Sequence, residues 1–403
     1  MSAPLRIAIH LPSFLPKFSG AEIFHHNLAV EFVRGGHQVG FVIPRSFARR
    51  LRESRLDLPY DIVEYPANLW GWIRRSRPLG LWLNRRALSR LQRRHAFSVW
   101  HTAFFMPSGI CFADWQVHSG VPGLVRAVGD DALTAPGLDT GPLPRSWILK
   151  TIARAQCVVA LSEEMKAVLV SSGISGDRVE IFPNAVRIER FTPAEADERR
   201  KLRARCGLVP DAMLILAVGR NHPQKDHATL LEAFRILRQS VASAHLVVAG
   251  RDARGLAPAV AQYGLEGSVT LRECSLQPSV ASGCPELPPQ ELVELYRCAD
   301  VFAMSSLLEG FSTALLEAMA AGLPIAATDA PGIRDQILNG ITGLLSPVGD
   351  AQALARALQT LCNSPAERAR LGASARRAAA EYSWEKLAER YISQYRKLLS
   401  QPL

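Results

Sequence analysis

The stretch SSLLEGFSTALLEAMAAGLP, Ser305–Pro324, carries two glutamates, Glu309 and Glu317, on either side of a Gly-Phe-Ser-Thr run. It follows the short apolar run VFAM (301–304), which reads as a buried strand, and it closes on Gly322 and Pro324, which stop helices. The order is therefore strand, loop, helix, with Ser312 or Thr313 expected as the N-cap. Such a helix start leaves backbone N–H groups unpaired, and its dipole favours an anion. The spacing predicts that the amides of Gly310, Phe311, Ser312 and Thr313 form that seat, with Gly310 allowing close backbone approach. Glu309 lies before the helix and Glu317 one turn inside it, so the two carboxylates are placed to reach opposite ends of one elongated ligand. A carboxylate accepts two hydrogen bonds from vicinal sugar hydroxyls. A phosphate on the amides with a hydroxylated ring on either side is a nucleotide sugar.

A second seat is expected after another strand. LILAVG (214–219) runs into RNHPQKDHATLLEAF, which places Arg220 and Lys225 beside the start of a helix at His227. Two cations and a helix N-terminus suit a diphosphate, and each charge-assisted hydrogen bond there is worth roughly 1.5–3 kcal/mol. Nearer the chain start, HLPSFLPKFSGAEIFHHNLAVEF puts Gly20 at the turn from a post-strand loop into a helix, where it lets a phosphate approach.

Working outward, strand-like and helix-like segments alternate. The strand candidates are 6–11, 38–43, 97–101, 124–128, 157–161 and 179–182 in the first half, and 214–219, 245–250, 268–273, 301–304 and 324–328 in the second. Helices are expected at 22–34, 163–171, 227–237, 289–297 and 351–361. Apolar strands alternating with helices predict parallel sheets covered on both faces. The polar, proline-broken segment 183–211 reads as a linker between two such series. The expected fold is α/β: two facing Rossmann-like domains with a cleft between them, at 1–190 and 191–382, followed by a helix at 383–403. That last helix carries Leu387, Tyr391, Ile392, Tyr395 and Leu398 at helical spacing and needs a surface to pack on, expected to be the first domain. In open α/β sheets ligands bind beyond the carboxyl ends of strands, and both seats lie there.

The composition of the 403 residues, 48% hydrophobic and 21% charged, is that of a globular protein with a sizeable core. No apolar run reaches the roughly 20 residues needed to span a membrane, and the N-terminus enters a strand pattern without a leader. Seven cysteines are dispersed without a CxxC pair, as expected for reduced thiols in the cytoplasm, and no metal is expected to be required. The net charge of +10 favours an anionic partner. Much of it lies in eight arginines between Arg74 and Arg94, accompanied by Trp70, Trp72 and Trp82. That stretch is expected to lie on an anionic membrane surface. It contains no recognisable nucleic-acid motif.

These residues resemble the retaining glycosyltransferases of family 4, with the two-domain GT-B fold, over nearly the whole chain. EGFSTALLEAMAAGLPIAATDAPGIRDQI is similar to that family's Glu-x7-Glu block, and AVGRNHPQKD to its Gly-Arg…Lys motif. VVALSEEMK, IFPNAVRIERF and YSWEKLAERY resemble further family segments. The resemblance implies that Arg220 and Lys225 hold the donor diphosphate, that Glu309 contacts the transferred sugar, and that Glu317 binds the ribose. Three departures stand out. RAVGDDAL has Gly129 and Asp130 where many members have His-Gly, leaving Asp130 or Asp131 as the substitute. The usual Pro-Asn-Gly-Val-Asp reads PNAVR, with Ala185 and Arg187. RECSLQPSVASGCPELP is longer than the usual connection.

The expected activity is transfer of a sugar, with retention, from a nucleotide-diphosphate sugar to a glycan or lipid-linked acceptor, such as a cell-surface polysaccharide precursor. Arg220, Lys225 and the 310–313 amides would stabilise the leaving diphosphate. The alternatives are a nucleotide-sugar epimerase of the same fold and a non-catalytic nucleotide-sugar or polyanion-binding protein.

Overall fold

The structure is a computed structural model that describes residues 3–16, 20–54, 56–66, 69–128, 143–274 and 284–401. Asp130 and Asp131, and most of the long connection after Cys274, lie outside the described residues. The chain divides into two compact units. The first comprises the described residues of Met1–Pro183, Ser279–Pro285 and Trp384–Leu403; the second comprises those of Asn184–Pro278 and Glu286–Ser383.

The first unit is built on a seven-stranded sheet in the order β3-β2-β1-β4-β5-β6-β7. Its strands are β1 (Arg6–His10), β2 (Gln38–Pro44), β3 (Asp61–Tyr65), β4 (Val99–Ala103), β5 (Gly123–Arg126), β6 (Cys157–Ala160) and β7 (Val179–Ile181). Every pairing is parallel. Helix Trp384–Ser400 belongs to this unit and packs against helix Gly20–Arg34. It buries the five apolar residues that its spacing singles out, Leu387, Tyr391, Ile392, Tyr395 and Leu398. Its two buried tyrosines also find polar partners: the Tyr395 hydroxyl bonds with His101 Nδ1 at 2.6 Å, and Arg126 Nε donates to the Tyr391 hydroxyl at 3.0 Å. Burial and the neighbouring cation hold His101 well below the usual histidine range, so this contact is made by a neutral imidazole.

The second unit has a six-stranded parallel sheet in the order β10-β9-β8-β11-β12-β13. Its strands are β8 (Met213–Val218), β9 (Ala244–Gly250), β10 (Val269–Glu273), β11 (Val301–Met304), β12 (Ile325–Thr328) and β13 (Leu344–Ser346). Strand order runs outward in one direction from β8 and in the other from β11. These two neighbours therefore form the topological switch point of this sheet, where α/β proteins bind ligands.

Segment 183–211, read from sequence as a linker, is not a bare connection. It contains helix Ala196–Arg205, which is clamped to the second unit by Asp300. Arg199 Nη1 meets Asp300 Oδ1 at 2.9 Å and Arg203 Nη2 meets Oδ2 at 2.7 Å, while Oδ2 also accepts the Leu214 N–H at 2.8 Å. The helix escaped notice because Leu202 and Arg203 are its only buried residues, so its sequence carries no apolar stripe.

Candidate active site in the second unit

The loops that leave β8 and β11 meet. Leu307 N–H donates to the Gln224 carbonyl at 2.8 Å, Gln224 Nε2 to the Leu308 carbonyl at 2.7 Å, and Ser305 Oγ to the Lys225 carbonyl at 2.8 Å. Held this way, Lys225 Nζ reaches Glu309 Oε1 at 2.5 Å across a separation of 84 residues. The lysine stem lies over Gly219, where an added Cβ would sit 3.2 Å from Lys225 Cε. A side chain at 219 would therefore require the lysine stem to give by a few tenths of an ångström. Glu309 Oε1 also accepts from Ser306 Oγ at 2.7 Å, and Ser306 is fixed in turn by Thr328 Oγ1, which donates to its carbonyl at 2.6 Å. Behind the loop, Glu309 N–H donates to the Pro331 carbonyl at 2.9 Å. Gly332 has φ +75°, and any Cβ there would collide with the Glu309 carbonyl, so this close packing requires glycine.

Helix Thr313–Ala320 begins with Ser312 as its N-cap, whose hydroxyl accepts the Leu315 N–H at 3.4 Å. One member of the expected amide seat is withdrawn. Ser312 N–H donates to Gln336 Oε1 at 2.7 Å, and Gln336 Nε2 returns a bond to the Ser312 carbonyl at 3.0 Å. Among the described residues, the N–H groups of Gly310, Phe311 and Thr313 have no protein acceptor. The seat thus consists of three amides, held in shape by a glutamine whose role the sequence did not signal. The Phe311 carbonyl is taken by Asn184 Nδ2 at 2.5 Å.

The second seat differs from expectation in one respect. Asp226, with φ +44°, caps the helix His227–Arg238 with its own carboxylate, accepting from Thr229 N–H at 3.3 Å and from Thr229 Oγ1 at 2.6 Å. A negative charge already occupies that helix start, so it offers little to an incoming phosphate. The anion-binding capacity after β8 therefore rests on the side chains of Arg220 and Lys225. Arg220 is half-buried in this loop, and its carbonyl accepts from His227 Nε2 at 3.2 Å.

Glu317 stands apart from the Lys225–Glu309 pair, one turn into its helix, beside the fully buried Tyr296 and near Arg190. Tyr296 donates its hydroxyl hydrogen to the Ala314 carbonyl at 3.1 Å. Burial pushes the Glu317 carboxyl up to about 7, against the opposing pull of Tyr296 and Arg190. Arg190 and Tyr296 were not singled out from sequence, because nothing local in ERF or LYR marks a residue that acts on a carboxylate more than a dozen positions away.

Gly20 opens helix Gly20–Arg34 in the first unit. An added Cβ there would meet nothing within 4 Å among the described residues, so protein packing does not explain the glycine. In the same unit, Cys284 Sγ lies 4.0 Å from His26 Nε2, a proximity invisible in sequence. That nitrogen bonds the Pro285 carbonyl at 2.9 Å. Among the described residues, no group of three or more His, Cys, Asp or Glu is placed to hold a metal ion, and no helix is long and apolar enough to cross a membrane.

Comparison with known proteins finds family matches along most of the chain. Residues 18–190 match the family described as Glycosyltransferase Family 4, and residues 198–378 match glycosyl transferases group 1. A D-inositol 3-phosphate glycosyltransferase of Xylanimonas cellulosilytica is 32% identical over 272 residues, which cover 66% of this chain; the chain spans 63% of that relative's length. Two solved structures superpose over nearly everything. A glycosyltransferase from Rickettsia africae has a TM-score of 0.79 at 17% identity, covering 99% of this chain and 100% of its own. Anabaena Alr3699/HepE in complex with UDP has a TM-score of 0.76 at 18% identity, covering 98% and 100%. At such identities these structures speak for the fold, which is GT-B. The chain belongs to glycosyltransferase family 4.

Proposed function

We propose that the protein transfers a sugar from a nucleotide-diphosphate sugar to a glycan or lipid-linked acceptor, with retention of anomeric configuration. The observation that carries this reading is the Lys225–Glu309 pair at the switch point of the second sheet, beside three amides without protein acceptors. The neighbour solved with UDP supports this donor chemistry, and the inositol-phosphate glycosyltransferase relative supports glycosyl transfer.

In this reading the donor diphosphate lies along Arg220, Lys225 and the amides of Gly310, Phe311 and Thr313. Glu309 accepts hydroxyls of the departing sugar, and Glu317 accepts the ribose diol. Charge builds on the leaving diphosphate as the glycosidic bond breaks, and preorganised donors stabilise it without reorganisation. Lys225 is already held in place by Glu309, so it need not be ordered by the substrate. A donor phosphate oxygen takes the acceptor proton on the same face, which preserves configuration and calls for no protein nucleophile.

The acceptor is proposed to sit at a membrane surface. No acidic residue occurs between Glu64 and Asp114. Within that span, helix Leu69–Arg75 exposes Trp72 and Arg75, and helix Arg77–His95 exposes Leu79, Trp82, Arg86, Arg90 and Arg93 at helical spacing, with the Arg86 guanidinium 4.6 Å from the Trp82 ring. Arginines over phosphates and tryptophan at the interface are the chemistry of peripheral binding to anionic lipid.

The test is incubation with UDP-, GDP- and ADP-sugars, with and without candidate acceptors. Release of nucleoside diphosphate and an axial or equatorial product bond matching the donor, read by NMR, are expected. An inverted linkage would overturn retention, and interconversion of free nucleotide sugars without transfer would make the protein an epimerase.

A further inference from the structure

Arg190 is a buried cation to which the scheme above gives no task. It lies on the turn Ile188–Phe191, which packs against helices Thr313–Ala320 and Gln290–Cys298. Its side chain is only 10% exposed, yet its ion pairing is poor: Nε stands 3.8 Å from Glu286 Oε2, on a side chain that is 79% exposed. Its Nη1 is buried without a hydrogen-bond partner among the described residues. Burying a charged donor without an acceptor costs free energy, so the group calls for an acceptor that a bound ligand can supply.

Its neighbours indicate which ligand atoms those are. Beyond Glu286, Arg187 repels it and Glu317 attracts it. Arg376, from helix Pro365–Ala379, is occupied with the carbonyls of Phe191 and Ala320. Arg190 therefore shares its surroundings with the carboxylate assigned to the ribose. The phosphate seat lies at the other end of the helix turn, at 310–313 and Lys225.

We propose that Arg190 positions the nucleoside half of the donor: its Nη1 donates to an acceptor atom of the nucleoside, and the rest of the guanidinium orients Glu317 towards the ribose diol. This rests on the nucleotide-sugar reading and assigns to it a residue that discriminates nucleoside from bare phosphate.

The experiment is calorimetric titration of the full chain with UDP, GDP, ADP and CDP, the tightest binder serving as probe, alongside inorganic pyrophosphate. In Arg190→Met, affinity for the nucleoside diphosphate is expected to fall by about 10- to 100-fold, the range of one hydrogen bond to a charged group, with pyrophosphate affinity unchanged. Arg190→Lys, which keeps the cation and safeguards folding, is expected to fall in between. Glu286→Ala, which removes the 3.8 Å ion pair, is expected to leave both affinities as they are. Equal weakening of nucleotide and pyrophosphate would make Arg190 a phosphate ligand, and no change in either would make it a tie to Glu286; both overturn the proposal. If none of the four nucleotides binds the parent protein, the nucleotide-sugar reading itself falls.

Discussion

Replacing Lys225 by methionine removes the ammonium and keeps most of the stem that covers Gly219. Two consequences follow from the geometry. In the resting protein Glu309 loses its 2.5 Å partner and is left with Ser306 Oγ at 2.7 Å. Both side chains are largely buried, at 16% and 9% exposure, so the carboxylate is stranded in a poorly solvated place. An under-satisfied buried group of this kind costs about 1–3 kcal/mol, to be read as a lowered denaturation midpoint. In the reaction, the leaving diphosphate loses one charge-assisted donor worth about 1.5–3 kcal/mol, which is roughly a 10- to 150-fold fall in kcat. Initial rates of nucleoside diphosphate release at saturating donor measure the second effect, and urea titration the first. A double-mutant cycle with Glu309→Gln separates them: a stability coupling of at least about 1 kcal/mol is expected between residues in direct contact. Parental kcat in Lys225→Met would refute the diphosphate assignment, and a coupling energy near zero would refute the pairing.

Further outcomes are expected elsewhere. Glu317, raised to about 7 from 4.5, binds its proton more tightly in the folded chain than in the unfolded one, so its contribution to stability falls as pH rises through that window and stays low above it. Glu317→Gln should therefore be more stable than the parent at pH 8, with the difference vanishing below pH 4.5; a pH-independent difference in urea midpoints would contradict the burial argument. If the carboxylate accepts the ribose diol, the parent's donor KM should fall as pH rises through about 7, and that dependence should be absent in Glu317→Gln. Asp300→Asn should cost about 3 kcal/mol in chemical denaturation, because Arg203 is nearly buried and would lose its counter-charge; a loss under 1 kcal/mol would show that its carbonyl partners suffice. Co-sedimentation should show the protein binding phosphatidylserine-containing vesicles and not neutral ones, with binding lost in an Arg86, Arg90 and Arg93 to Gln triple variant. Equal partitioning onto both vesicle types would remove the membrane surface from the account.

The strand and helix series was legible wherever burial was two-sided or periodic. Helix Glu163–Ser171 and strand β11 appear with the bounds expected, and the stripe on Trp384–Ser400 named its own buried face. Two strands were missed, β3 and β13, and both are sheet edges. Asp61 and Glu64 dilute the first, and the second is three residues long, so neither presents the apolar run of a central strand. At the site, residue types and post-strand placement singled out Lys225, Glu309 and Glu317; the structure brings the first two together and leaves Glu317 one helical turn away, beside Tyr296. What sequence could not convey were contacts set by tertiary folding. The Lys225–Glu309 bond spans two loops, and Gln336 reaches back 24 residues to occupy the Ser312 amide. The helix start at His227 was likewise read as part of an anion seat, although Asp226 caps it with its own carboxylate.

The central claim is that a nucleoside diphosphate seats at the β8–β11 switch point of the second unit. A crystal structure of the protein with the tightest-binding nucleoside diphosphate tests it directly. The account predicts phosphate oxygens within hydrogen-bond reach of Lys225 Nζ and of the Gly310, Phe311 and Thr313 amides, and ribose hydroxyls on Glu317. Density for the nucleotide anywhere else on the molecule, with Lys225 still bonded only to Glu309, would contradict it.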